Sequence, residues 1–134
     1  MNKALSMLAV LAVSAFTFSA NADVKKPTLV CNFTEPFIQI VVLAKTQTIG
    51  TVGDHVALRS PGKDTVMGAI ESTSYHEGVN SWKLSGEGLD QYVLDIVFGK
   101  KGNDGMSDKE YEFEGILKTA GDEFVLYGGC DLVK

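Results

Sequence analysis

Apolar side chains recur at every second position along this chain, in short runs broken by Gly, Pro, Asn and Asp. The clearest run is Gln91 to Phe98, where Tyr92, Leu94, Ile96 and Phe98 share one phase and Gln91 and Asp95 the other. A repeat of two is the signature of a strand with one covered face, and no helical repeat follows the first 22 residues. The runs lie too close together for the crossover helices that parallel strands need. The spacing therefore predicts an all-β fold of about eight strands, a small antiparallel β-barrel or a sandwich.

Taken in order, Leu29–Phe33 reads as a strand that Thr34-Glu35-Pro36 ends, because Pro36 has no N–H to give a ladder. Phe37–Leu43 is apolar on both phases and predicts a strand covered on both sides. Lys45–Val52 is Thr-rich and predicts another strand, turned by Gly53-Asp54. His55–Ser60 follows, then a turn from Ser60 to Asp64, then Thr65–Tyr75 with a bend or bulge at Gly68. His76–Asn80 is expected to be a loop and Ser81–Ser85 a strand carrying Trp82 and Leu84 on one face. In Glu110–Thr119, Tyr111, Phe113 and Leu117 fall on the core phase; Ala120–Glu123 is a hairpin loop, and Phe124–Val133 closes the fold.

The first 22 residues have a different character. Lys3 precedes a run of small and apolar residues, and Ala20-Asn21-Ala22 has the small residues a signal peptidase reads. The run is shorter than the ~20 residues that span a bilayer. A cleaved leader at 1–22 and a single domain at 23–134 are expected, which makes the protein periplasmic or secreted with no membrane span left. Cleavage removes one lysine and no acid, moving the formal charge from −5 to −6. An acidic chain without a basic stripe does not suit nucleic acid. The two cysteines, Cys31 and Cys130, both fall on the core phase of the first and last strands. In an oxidising compartment they are expected to pair and so to close the sheet.

The usual catalytic constellations are absent. His55 and His76 have no spacing for a shared metal, no Cys is left as a nucleophile, and no glycine loop for phosphate exists. No metal site and no cofactor is expected, and a binding protein is favoured over an enzyme. One stretch concentrates polar chemistry: Gly102 to Asp108, running into Tyr111 and Phe113. It supports three accounts. Asp104-Gly105 could form a turn with positive φ while Ser107 caps a helical turn with Glu110 three residues on. Asp104, Ser107 and Asp108 could supply hard oxygens to a cation, although calcium takes six to eight. As an exposed loop on a rigid sheet, the stretch could also contact a partner. Glu35, just before Pro36 and between two core strands, reads either as a hydrogen-bonded structural carboxylate or as part of a cleft.

Three of these motifs together resemble a family of uncharacterised bacterial envelope proteins, of predicted membrane-protein or lipoprotein type. They are Cys31 to Thr34-Glu35-Pro36-Phe37, then Asp104-Gly105-Met106-Ser107-Asp108 with Tyr111 and Phe113, then Gly129-Cys130. The family often has Gly at the place of Phe33, Trp at that of Ile38 and Cys at that of Gly102. The resemblance implies the envelope as compartment and assigns no activity. A second similarity, to small periplasmic lysozyme inhibitors, rests on Ser72-Thr73-Ser74-Tyr75 and Trp82-Lys83. Such inhibitors carry Ser-Gly-x-x-Tyr and Trp-x-Lys-Gly, and the similarity implies Ser72, Tyr75 and Lys83 as a site aimed at an acidic cleft. The sequence thus points to an envelope binding module, with a lysozyme inhibitor and a small-ligand carrier barrel as alternatives. The expected partner is a periplasmic protein or a small ligand.

Overall fold

A computed structural model describes residues 26–119, 121 and 123–133. The proposed leader therefore lies outside the described residues, as do two positions of the Ala120–Glu123 turn. Eight strands are formed: β1 Thr28–Phe33, β2 Ile38–Leu43, β3 His55–Arg59, β4 Val66–His76, β5 Val79–Ser85, β6 Tyr92–Val97, β7 Phe113–Thr119 and β8 Val125–Val133. Each pairs antiparallel with the next, and β1 pairs with β8, closing the barrel. Cys31 lies directly opposite Cys130 in that last ladder, and their sulfurs are bonded. The all-β barrel and its closing disulfide are thus as the alternation and the cysteine phase predict.

The alternation sorts the side chains. Leu29, Cys31, Phe33, Ile40, Val42, Val56, Ile70, Trp82, Leu84, Leu94, Ile96 and Leu117 fill the interior and are almost wholly excluded from water. Each buried Leu or Ile contributes about 2 kcal/mol through the apolar area it removes from solvent.

One end of the barrel is closed by residues 44–54, where a strand was expected at Lys45–Val52. The segment is a loop because Asp54, fully buried, gathers its backbone. Oδ1 accepts from Lys45 N at 3.0 Å, and Oδ2 accepts from Gly50 N at 2.8 Å and Thr51 N at 2.9 Å. A carboxylate that collects three N–H groups offers the backbone more than a sheet edge could. Other expectations are corrected in detail. The His76–Asn80 loop shrinks to Glu77-Gly78, and both flanking strands lengthen around it. The bulge falls between Ile70 and Ser72; Gly68 is instead a point of close approach, where a Cβ would lie 2.0 Å from the Ser85 carbonyl oxygen. Asp95 points outward as read but is buried, paired with Lys118 at 3.0 Å. Tyr111 lies not in the core but on the outside of β8, and β7 begins only at Phe113.

Candidate functional site

Two of the motifs singled out in the sequence meet on the barrel's outer surface. The first is the β1–β2 turn, where Thr34-Glu35-Pro36-Phe37 reverses the chain through a cis Glu35–Pro36 peptide, with Glu35 in the left-handed region at φ 56°. The expectation of a hydrogen-bonded structural Glu35 fails: its side chain is exposed and makes no hydrogen bond or ion pair among the described residues. Phe37, expected to be covered, is instead 53% exposed, because the turn lifts it off the sheet before β2 begins.

The second motif is a strap, residues 101–112, which folds back over the outside of β8. It lies flat because Gly129 has no side chain; a Cβ there would stand 2.3 Å from the Tyr111 ring. Gly102 and Tyr111 exchange backbone hydrogen bonds at 3.1 and 2.9 Å, pinching the base of the strap. Asp131 fastens it further, accepting from Lys109 Nζ at 2.6 Å and Glu112 N at 2.8 Å.

Inside the strap Asp104 does most of the capping, and Ser107 Oγ accepts only from Lys109 N at 3.3 Å. Asp104 Oδ1 accepts from Met106 N at 2.9 Å and Ser107 N at 2.8 Å, and its Oδ2 from Ser107 Oγ at 2.8 Å and Tyr111 Oη at 2.9 Å. Gly105 takes the positive φ, 86°, that the turn reading required. No helical turn forms, and Glu110 pairs with Lys101 instead. The backbone N–H groups of Ser107 and Met106 hold the Asp104 carboxyl far below the usual carboxylate range. Burial, and then the hydrogen bond to Asp104, push the Tyr111 phenol up to about 12. Ser107 thus serves the turn through Asp104, while Asp108 is exposed and outside this network. Among the described residues, no cluster of three or more His, Cys, Asp or Glu is placed to hold a metal.

Turn and strap are joined by Thr34 Oγ1, which donates to the Asp104 carbonyl oxygen. Between them and Arg59-Ser60-Pro61 lies a groove of about 480 Å³. Its floor is formed by the cross-strand neighbours Asn32 and Gln39, with Arg59, the next residue in that row, as a wall. A directed chain of hydrogen bonds runs along it. Arg59 Nη1 donates to Gln39 Oε1 at 3.1 Å, and Gln39 Nε2 donates to Asn32 Oδ1 at 3.0 Å. Beyond Asn32, whose amide favours the ionised form of the Tyr111 phenol, Tyr111 Oη donates to Asp104 Oδ2 at 2.9 Å. A cation stands at one end and a carboxylate at the other, so each link polarises the next in the same sense.

A second hollow of about 520 Å³ opens at the barrel mouth, lined by Leu58, Tyr92, Phe124 and Lys63 among others. The two hollows share Phe37, Ile38, Ser60 and Pro61 as their common wall. Both lie in the size range of small-molecule sites.

The residues of the inhibitor similarity lie elsewhere. The β4–β5 hairpin runs on past the barrel, since Glu71–His76 pair only with β5. On it Ser72 faces Lys83 across the ladder and Tyr75 is 69% exposed, whereas Trp82 is a core residue. Lys83 is within 3.9 Å of Glu71. No protein-family model, curated protein or solved structure matches this chain.

The groove's other wall, Arg59, and its floor, Asn32 and Gln39, were not singled out from the sequence. Their only signal was that each is polar on the outward phase of an otherwise apolar strand. That they stand side by side depends on the register of three strands, which the pattern of two leaves open.

Proposed function

We propose that this chain is a secreted, disulfide-locked barrel that works by binding a ligand at the rim where the Thr34–Phe37 turn, the strap and Arg59-Ser60-Pro61 meet. The observation that carries this reading is Phe37. A large aromatic side chain stands half out of water between two hollows, on a turn tied to the strap by the Thr34 hydrogen bond to Asp104. Exposed aromatics on a rigid frame are typical anchors for a ligand or partner. The reading is of a binding module and not an enzyme: the one acidic side chain lining either hollow, Asp104, has both oxygens committed to protein donors. The envelope resemblance supports the same compartment.

The test is capture. The exported, oxidised protein is isolated and examined by native mass spectrometry for co-purifying molecules and by pull-down for proteins. Phe37→Ala, a surface change, is expected to leave melting almost unaltered and to abolish what the wild type retains. Retention unchanged in Phe37→Ala would remove the rim as the site.

A second reading, the lysozyme inhibitor, is favoured by the projecting hairpin that presents Ser72, Tyr75 and Lys83 to solvent. It expects the protein to slow lysis of peptidoglycan by a lysozyme, with Lys83→Ala losing most of the effect. No inhibition of several lysozyme types at micromolar excess rejects it.

A further inference from the structure

Building on the proposed rim site, we infer that its ligand is an anionic amphiphile, a carboxylate with an apolar body, whose head is held by Arg59 and whose body lies in the barrel mouth. The two hollows are contiguous through Phe37, Ile38, Ser60 and Pro61, yet chemically unlike. The mouth is walled mainly by the apolar surfaces of Leu58, Tyr92, Phe124 and Ile38, with Lys63 also lining it. The outer groove is lined by amides and a guanidinium. A molecule covering both needs one apolar part and one polar part.

The sign of the polar part follows from the charges. Arg59 and Lys63 line one hollow each, and neither is in an ion pair among the described residues. Glu35 and Asp64 belong to the neighbouring turns but line neither hollow. Asp104 does line the groove, and its charge is answered by four donors at the far end of the relay from Arg59.

The relay also determines how Arg59 is presented. Its Nη1 is spent on Gln39, whose own amide donates to Asn32 beside Tyr111. The guanidinium plane is thereby set before a ligand arrives, and it has no acidic partner. A planar fork of N–H donors matches a carboxylate edge to edge, which a lysine ammonium does not. Tyr111 and Asn32 are positioning residues in this scheme, and Arg59 makes the contact.

The experiment compares decanoate with decanol, which share a tail and differ in charge, by titration calorimetry on the oxidised domain. Decanoate is expected to bind about ten- to a hundredfold more tightly, the range for a charge-assisted hydrogen bond. Arg59→Gln, a change at an exposed side chain, is expected to erase that preference. Tyr111→Phe should lower the ratio of decanoate to decanol affinity, which a purely structural role would not do. Equal binding of decanoate and decanol to the wild type overturns the anionic head while leaving the rim as a site. A preference that survives Arg59→Gln overturns the assignment to Arg59. Binding of neither probe overturns the amphiphile, and the Phe37→Ala capture experiment then judges the rim independently.

Discussion

Gly115 offers a sharp test of how the barrel is closed. It sits on β7 beside the disulfide, and a Cβ placed there would be 2.6 Å from Cys130 Sγ, 3.6 Å from Phe33 Cζ and 3.7 Å from Cys31 Sγ. The sulfur cannot swing aside, because it is bonded to Cys31 across the β1–β8 ladder. Gly115→Ala in the oxidised protein therefore overpacks the core, at a typical cost of about 1–3 kcal/mol. The backbone at 115 is outside the left-handed region, so alanine itself is tolerated there. In a Cys31→Ala/Cys130→Ala background the sulfurs are gone, and the nearest neighbour, Phe33, is at ordinary contact distance. The same substitution should then be neutral or stabilise by about 0.4–1 kcal/mol, through the lower entropy of the unfolded chain. The two effects differ by about 1–4 kcal/mol, at or above the coupling expected between touching groups. Urea unfolding followed by the fluorescence of the single tryptophan, the buried Trp82, reads all four proteins. Losing a bond that spans 99 positions costs up to about 4.7 kcal/mol in the chain-entropy view, so all four are measured in the same sucrose to keep the weaker pair folded. Additive behaviour, with Gly115→Ala equally costly in both backgrounds, would show that something other than the disulfide excludes a side chain at 115.

The strap supplies two pH tests. Tyr111 titrates at about 12 in the fold against 10.0 outside it, so its contribution is intact below pH 10 and is lost as pH rises toward 12. Tyr111→Phe should flatten that part of the stability curve and cost about 1 kcal/mol at neutral pH for the lost hydrogen bonds; an unchanged alkaline slope contradicts the burial of the phenol. Asp104 has its pKa depressed below 3.8, so its contribution is present above pH 3.8 and lost as pH falls further; Asp104→Asn should soften acid unfolding in that window and lower the melting temperature at neutral pH. Because both Asp104 oxygens are engaged, millimolar calcium should leave melting unchanged, and a gain of several degrees in the wild type alone would reinstate the cation account. Processing is read by intact mass: export should yield a chain beginning at Asp23 with no alkylatable thiol, and a retained leader or two free thiols refutes that expectation.

Much of the frame was legible because its cause is local. A strand shows one face to the core and one to water, so Tyr92, Leu94 and Ile96, or Leu126 and Cys130, declare their side two residues at a time. The same phase placed both cysteines inward, and from there a closed barrel followed. Local rules erred where a polar side chain captured the backbone. Lys45–Val52 has the composition of a strand, but the buried Asp54 collects three of its N–H groups, and no pattern of alternation records that competition.

Tyr111 shows the other kind of error. Its spacing from Phe113 puts it on the core phase, yet the chain crosses from outside to inside between them, and the phenol comes to rest on Gly129. The candidate site follows the same division. Thr34–Phe37 and Asp104–Asp108 were visible as motifs because turns have strong residue preferences over a few positions. That they touch, seventy residues apart, through Thr34 and Asp104 was not visible. Nor was the row Asn32, Gln39, Arg59, whose members become neighbours only when three strands take one register out of several that bury the same side chains. Periodicity fixes which face a residue occupies. Register and the path of a returning strap fix which residues meet, and those are long-range choices made by the packed barrel as a whole.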